Sequence, residues 1–531
     1  MTVQWLKHLT EEVAAEASGH YLCPYLVALE GWRRGLTLKW YKEAAEPFRE
    51  MKTWYTQKPG KLFSLTGNDG KTYYFFRTRG NTITNRAVEI CADKNLTKAE
   101  LIKGGVNTPP GTSVRASQPE QELISSAEDI GFPLVIKPLD GSFGRGVFPG
   151  IENGRQLKQA VKKLRSSNVE DLILEKHVSG DEYRVYVVDS RTVGVLKRIP
   201  ANVTGDGRST IQMLAEEKNR KRMQNPRLKS CPIVIGADEK AFLKKSGLSP
   251  ESVPDKGSTV FLTAKSNISS GGDPVDVTDE FPDAAKQEAV KAVKAIPGLP
   301  YAGVDLILDE ESGKAEVIEI NPTAQIGSLL FPSSGKARDI PGAIVDHYFP
   351  ETAGKGRSTL YFSFKETMRP LESGSAVWAA VSPAAPQPLT GESVIISCRD
   401  HDIQLQFSLR ELAESYQLHG SLKSKSESEL EMVIAGPSES QLENFKAKAV
   451  SEYDVGIGPA APASGILRPG FAIEDEPRKM KENLRELELT ITEVEKKRRN
   501  AEKKLRMMRR STSWKISLPI RAFAKLLRKL R

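Results

Sequence analysis

The chain has 531 residues, too many for one hydrophobic core, and its 39% hydrophobic and 27% charged residues describe ordinary folded protein. It has no apolar run of about 18 residues, which excludes a membrane-spanning helix, and its four cysteines lack C-x-x-C spacing, which argues against a zinc knuckle or disulfide scaffold. The net charge of +9 is unevenly placed: residues 476–531 hold nineteen Lys/Arg against seven Glu, so the remainder is slightly acidic and no nucleic acid is expected as a partner.

Residues 1–93 read as a small α/β domain. Met1 to His20 patterns as an amphipathic helix rather than a signal peptide, which fits a cytoplasmic protein. Helix Leu26–Arg34 and strands Leu36–Trp40 and Lys71–Arg77 follow. From 94 to 352 strands and helices alternate as in an α+β enzyme core. The strands are Leu134–Pro138, Leu172–His177, Tyr183–Asp189, Thr192–Arg198, Ala302–Leu308 and Ala315–Asn321. The helices are Ala99–Gly104, Gly154–Arg165, Ile211–Asn219 and Asp283–Ala295. A second small α/β unit is expected over 358–452, then a Gly/Pro/Ala linker over 453–475. A coiled coil over 476–510 and a basic amphipathic tail over 511–531 complete the chain.

Three segments of the central region carry chemistry. Val135-Ile136-Lys137-Pro138 runs into a glycine-rich turn with Gly141, Ser142, Gly144 and Gly146. Glycines let backbone N–H groups approach phosphate closely and a lysine adds a point charge, although a plain hairpin looks similar. Leu172-Ile173-Leu174-Glu175-Lys176-His177-Val178 leads to Glu182; it reads equally as an edge strand or as a nucleotide-binding edge. Asp305 and the pair Glu319 and Asn321 lie on apolar strands, where a buried carboxylate needs a counter-charge. Oxygen ligands on rigid adjacent strands suit Mg²⁺, which keeps its remaining positions for phosphate and water.

In this order the segments resemble the ATP-grasp ligases, in the branch of cyanophycin synthetase and the ligase half of bifunctional glutathione synthetase, from about Asn81 to Tyr348. The runs Asp93-Lys94-Asn95-Leu96-Thr97, Lys197-Arg198-Ile199-Pro200-Ala201-Asn202-Val203-Thr204-Gly205-Asp206-Gly207 and Ser266-Asn267-Ile268-Ser269-Ser270-Gly271-Gly272 carry the likeness. It implies an ATP-grasp fold, ATP with Mg²⁺ (or Mn²⁺) as cofactor, and a carboxylate and an amine as substrates. By position, Lys94 and Lys137 would contact ATP phosphates under a lid at Gly141–Gly146. Glu175, Lys176 and Val178 would surround adenine, with Glu182 on the ribose. Asp305, Glu319 and Asn321 would hold metal, and Arg198 would stabilise the reacting intermediate, with Lys137 as the second catalytic group. Thr263 stands where the relatives commonly have arginine, which leaves the substrate open. There is no GxxxxGK[ST] loop for a second ATPase, and no room upstream for a glutamate–cysteine ligase half.

Residues from about Val394 to Ala449 resemble acylphosphatase, which implies a ferredoxin-like fold. In that alignment Asp402–Ser408 replaces the phosphate loop, with glutamines for both glycines and Ser408 for the arginine, so the unit is expected to be non-catalytic. In the tail, Met480, Leu484, Leu487, Ile491 and Val494 keep heptad spacing, which predicts a homodimer. The basic helix around Trp514 and Phe523 suits an anionic membrane surface at the inner face of the membrane. The Ser-x-Ser-Trp-Lys-Ile run is similar to tails of some bacterial surface-polysaccharide glycosyltransferases and points to cell-envelope polymer biosynthesis. The reading is an ADP-forming carbon–nitrogen ligase; the rivals are an acylphosphatase-type hydrolase and a membrane-tethered nucleotide-binding scaffold without turnover.

Overall fold

The computed structural model describes residues 5–43, 45–139, 146–384, 389–399, 403–426, 428–463, 468–474 and 490–502. The helix Leu22–Arg33 is buried along all twelve of its residues. A helix buried on every side sits at the centre of a fold rather than on its surface. It packs against a five-stranded sheet ordered Trp378–Ala380, Thr37–Tyr41, Leu62–Thr66, Thr72–Phe76, Arg79–Gly80. Alternate aromatics on these strands meet in the core: Trp40 and Phe63 have ring centroids 5.0 Å apart, and Phe63 stacks on Phe75 at 4.8 Å. The edge strand is a correction. Residues 358–384, expected to open the acylphosphatase-like unit, instead return here, and Lys39 pairs with Ala380 while Leu360, Phe362, Phe364 and Leu371 enter the first core.

That core continues without a break into a larger antiparallel sheet. Its order is Asp273–Asp276, Arg191–Ile199, Asp181–Val188, Tyr301–Leu308, Ala315–Asn321. The helix Asp283–Ala295 covers one face through Ala285, Ala289, Val290 and Val293, an i, i+4 stripe. A separate lobe has its own core and a four-stranded sheet ordered Gly111–Arg115, Asp171–Lys176, Leu134–Pro138, Phe148–Ile151. Its helix Gly154–Ser166 starts where the Asn153 side chain accepts from Gln156 N at 3.1 Å, and it buries Leu157, Ala160, Val161 and Leu164. Residues 201–262 form a further module around Ile211, Ala215 and Leu243.

The last unit has its own core. Its strands Thr390–Ser397, His419–Ser426, Glu429–Gly436 and Gly456–Ile457 alternate with helices Ile403–Ser415 and Glu439–Tyr453. The sheet order is fourth, first, third, second, and Phe471–Ile473 adds a strand parallel to His419–Ser426. Residues 403–408, aligned above with a phosphate loop, are the opening turns of the helix Ile403–Ser415. Gln404, Gln406 and Ser408 therefore say nothing about a loop. Of the expected coiled coil, 490–502 is helical with i,i+4 pairs such as Lys497–Glu493 at 3.1 Å, and Ile491 and Val494 are exposed. The rest of 476–510 and the tail 511–531 lie outside the described residues. No described helix is long and apolar enough to cross a membrane.

One buried polar cluster ties the N-terminal segment down. Glu30 is paired with Arg34 at 2.6 Å and Arg357 at 2.9 Å, and Arg357 also holds Asp339 at 2.7 Å. His8 lies beside them, 3.4 Å from Arg357 Nη1, and burial lowers its pKa to about 4, with Arg357 and Arg33 adding to the effect and Asp339 opposing it. The unfolded chain therefore binds this proton more readily than the folded one. Stability is full above the ordinary histidine range and is lost as pH falls from about 6.5 towards 4. Melting curves across that window are expected to fall for the native chain and to flatten in His8→Asn; parallel curves would contradict this.

Candidate active site

Residues directly opposed on neighbouring strands share a face, so the register of the large sheet fixes which side chains meet. Leu196 opposes Arg184, Arg184 opposes Asp305, and Asp305 opposes Glu319. Asn321 opposes Gly303, two residues from Asp305, and so lies on the same face. The three oxygen-bearing residues predicted as metal ligands thus come together.

Asp305 is held by a group the sequence reading missed. Arg184 donates from Nε to Oδ1 and from Nη2 to Oδ2, both at 2.7 Å, a bidentate fork. Arg198 Nη1 adds a contact to Oδ2 at 3.2 Å. Burial would push the Asp305 carboxyl up, but Arg184 and then Arg198 outweigh it and hold it below the usual carboxylate range. Gly303 lets Ala324 pack close to the strand beside the fork: a Cβ there would stand 2.6 Å from Ala324 Cβ. Asn321 Oδ1 accepts from Thr323 N at 3.2 Å, which orients its amide.

Glu319 behaves in the opposite way. No hydrogen bond or ion pair reaches it among the described residues. Its surface opens to solvent, yet protein surrounds it on the remaining sides; that crowding, then the charge of Asp305, raises its pKa, with Arg184, Lys94 and Lys137 pulling the other way. A carboxylate penalised by its neighbour is relieved by a shared cation. Asp305 keeps a lone pair beyond its three N–H contacts, and Asn321 Oδ1 offers a neutral oxygen. The donor set of two carboxylates and an amide oxygen fits a hard divalent ion such as Mg²⁺.

Two elements bring positive charge to the same place: Lys137 on the strand Leu134–Pro138 of the smaller lobe, and Lys94 and Lys98 on the helix Lys94–Lys103, which packs with the large sheet. Lys137 pairs with Glu175 Oε2, and Lys98 holds Glu175 Oε1 at 2.8 Å. Burial opposes ionisation of Glu175, but Lys137 and Lys98 together keep its carboxyl below the ordinary value. Lys94 Nζ donates to Leu139 O at 2.7 Å, at the mouth of the glycine-rich turn. Both Lys94 and Lys137 act electrostatically on Glu319, so a lysine of the smaller lobe and one beside the large sheet lie near that carboxylate. Gly146 closes the turn at φ +71°, which favours glycine. Gly141, Ser142 and Gly144 lie outside the described residues.

Other expected contacts are differently employed. The Glu175 carboxylate is locked between lysines instead of standing free near a base. Lys176 Nζ donates to Gly131 O and Phe132 O at 3.0 and 2.8 Å, bracing the edge of the lobe, and Val178 is half-buried beside it. Glu182 accepts from Arg198 on one oxygen and from Ser266 on the other. Ser266 opens the run 266–272, and the 201–262 module grips its end. Arg222 Nη1 contacts Asp273 Oδ1 at 2.8 Å while Nη2 donates to Gly272 O at 3.1 Å. Arg184, Lys98 and Arg222 were absent from the candidates. Arg184 alone had a signal, since it follows Glu182 by two in an otherwise apolar strand.

The central part of the chain is similar to known proteins. Residues 91–221 match the RimK-like ATP-grasp domain. The chain is 35% identical over 276 residues to cyanophycin synthetase of Trichormus variabilis, covering 50% of this chain and 30% of that one. It is 35% identical over 291 residues to the glutathione biosynthesis bifunctional protein GshAB of Desulfotalea psychrophila, covering 52% and 36%. A solved bifunctional glutathione synthetase from Pasteurella multocida aligns over 55% of this chain and 41% of its own, at 30% identity and TM-score 0.44. The chain thus spans about a third of the length of the curated relatives it matches. Its central region is a RimK-like ATP-grasp domain, homologous to those of cyanophycin synthetase and bifunctional glutathione synthetase.

Proposed function

We propose that the chain is an ADP-forming ligase that joins a carboxylate to an amine. The observation that carries this reading is the gathering of Lys137 from the smaller lobe, Lys94 bonded to Leu139 O at the glycine-rich turn, and the opposed acids Glu319 and Asp305. Lysine ammonium groups at the phosphates offset the negative charge that develops as a carboxylate takes the γ-phosphoryl group. Mg²⁺, held by Asp305, Glu319 and Asn321, would supply Lewis-acid stabilisation to the phosphate oxygens. Arg198 sits between Glu182 and Asp305 and can turn its fork to the acyl-phosphate oxygens when the amine attacks. The glycine-rich turn closing over the site would keep water from that anhydride.

The same reading extends to the periphery. The unit from Thr390 onward is an acylphosphatase-like domain, supported by its split βαβ strand order. The coiled coil pairs two copies, supported by heptad residues Ile491 and Val494 that a lone helix leaves exposed. The basic tail rests on an anionic membrane at the cytoplasmic face, where envelope polymers are built.

The test is ADP release by the full chain with Mg²⁺ across amino acids, uronic acids and amino sugars. ADP formation that needs both a carboxylate and an amine is expected. ATP hydrolysis at the same rate with neither, or no turnover with any mixture, would sink the ligase reading.

A further inference from the structure

Past Asn321 the polar face continues into a patch of opposite sign. Gln325 Nε2 lies 3.4 Å from His20 Nδ1, and Thr78 donates to Ala324 O at 3.2 Å, so the segment that ends the acidic strand touches the N-terminal domain. Around His20 stand Arg77, Lys61 and Arg227, each close enough to disfavour its protonation after burial has done so. Arg77 acts on Lys61 in the same sense, and Arg77 and Arg227 both act on the buried Cys23 thiol. Lys61 and Arg227 are each only 8% exposed, Arg77 is half-buried, and His20 opens to solvent. Arg227 can come in because residue 327 is glycine: a Cβ there would stand 3.0 Å from Arg227 Cδ.

None of the three cations has an ion pair among the described residues. Lys61 donates to Tyr55 O, and Arg227 Nη1 reaches Cys231 Sγ at 2.7 Å. The Nε groups of Arg77 and Arg227 are buried without an acceptor, as are Nε and Nη1 of Arg79, which lies against the same Trp54 and Phe76 rings as Arg77. The one acid that acts on Lys61 is Glu43, and it accepts from Thr56 at 3.0 Å rather than pairing with the lysine. Two other buried arginines are paired with acids, Arg184 with Asp305 and Arg222 with Asp273, whereas Arg33 is held, among the described residues, by backbone carbonyls alone. Like charges packed together with orphaned donors are costly unless an anion meets them.

We propose that His20, Lys61, Arg77 and Arg227 form a subsite for a second anionic group, carboxylate or phosphate, on the substrate whose reacting carboxylate lies beside Asp305 and Glu319. This rests on the ligase reading and narrows it: the substrate is at least a dianion, gripped at its far end by guanidinium forks suited to planar or tetrahedral oxyanions. A monocarboxylate lacks the group that this end recognises.

The test is calorimetric titration of the full chain, without nucleotide, with citrate, inorganic phosphate and acetate as probes. Citrate or phosphate is expected to bind and acetate not to; a preference for citrate assigns the group as carboxylate, and for phosphate as a phosphoryl. Binding should weaken at least tenfold in Lys61→Gln and in Arg77→Gln, recover in part in Arg77→Lys, and persist in Lys137→Ala. A thermal melt of each variant shows that it is folded. No anion binding by the native chain, binding that survives both glutamine variants, or binding lost in Lys137→Ala would overturn the proposal. Because no turnover is read, its failure leaves amine-dependent ADP release to stand or fall separately.

Discussion

Lys137→Ala is expected to lower ATP turnover by two to three orders of magnitude while the protein stays folded. The lysine leaves the strand Leu134–Pro138 at the entrance to the glycine-rich turn, buried to 7% exposure, with its ammonium on Glu175. Removing one preorganised electrostatic donor from a transition state costs about 2.7–4 kcal/mol, or about 10²–10³ in rate. The fold should tolerate the loss because Glu175 keeps Lys98 at 2.8 Å. Steady-state ADP release, with a thermal melt as the control for folding, checks both halves. Near-native turnover in a folded variant would show that Lys137 is a structural partner of Glu175 and nothing more.

The second large effect separates the two acidic residues. Both Asp305→Ala and Glu319→Gln should abolish turnover, but their effects on stability should differ in sign. Asp305 neutralises the buried Arg184 fork, and removing one partner of a buried pair costs about 3–5 kcal/mol because the other charge is left uncompensated. Glu319 has a raised pKa, from the protein crowded around it and then from Asp305, so the folded chain holds that proton to higher pH than the unfolded chain does. Its contribution is therefore most favourable below the ordinary carboxylate range and declines as pH rises through the raised value. At neutral pH the ionised side chain is a liability, and glutamine should leave the melting temperature unchanged or higher. A site that sacrifices stability for metal binding behaves this way. Melts at pH 5 and 7.5 decide it: a large loss of stability in Glu319→Gln at pH 7.5 would mean that the residue is a structural ion-pair member.

Much of the cleft was legible in the sequence because its groups are encoded locally. The strands Leu134–Pro138 and Ala315–Asn321 and the helix Asp283–Ala295 are bounded by the residues that alternation and periodicity predict. Asp305 and Glu319 stood out as acids within apolar runs. What escaped is non-local. An arginine that alternates with apolar residues reads as solvent-facing, and only the pairing of Arg184 with Asp305, 121 positions away, turns it into a buried fork. Lys98 reads as a surface position of the helix Lys94–Lys103 until Gly111–Arg115 pairs with Asp171–Lys176 and brings Glu175 beneath it. The return of residues 358–384 to the first sheet depends on Lys39 meeting Ala380, for which no local signal exists. The likeness to acylphosphatase sets Asp402–Ser408 against a phosphate loop, but residues 403–408 are helical. The cationic subsite escaped for a related reason, since His20, Lys61, Arg77 and Arg227 come from four distant segments.

Electron paramagnetic resonance of Mn²⁺, titrated into the full chain with a non-hydrolysable ATP analogue, tests the central claim most directly. The predicted result is Mn²⁺ bound in the nucleotide complex of the native chain and bound at least tenfold more weakly in Glu319→Gln and Asn321→Ala. Equal Mn²⁺ affinity in the native chain and both folded variants would contradict the account, because the ion would then lie elsewhere than on the paired strands Tyr301–Leu308 and Ala315–Asn321.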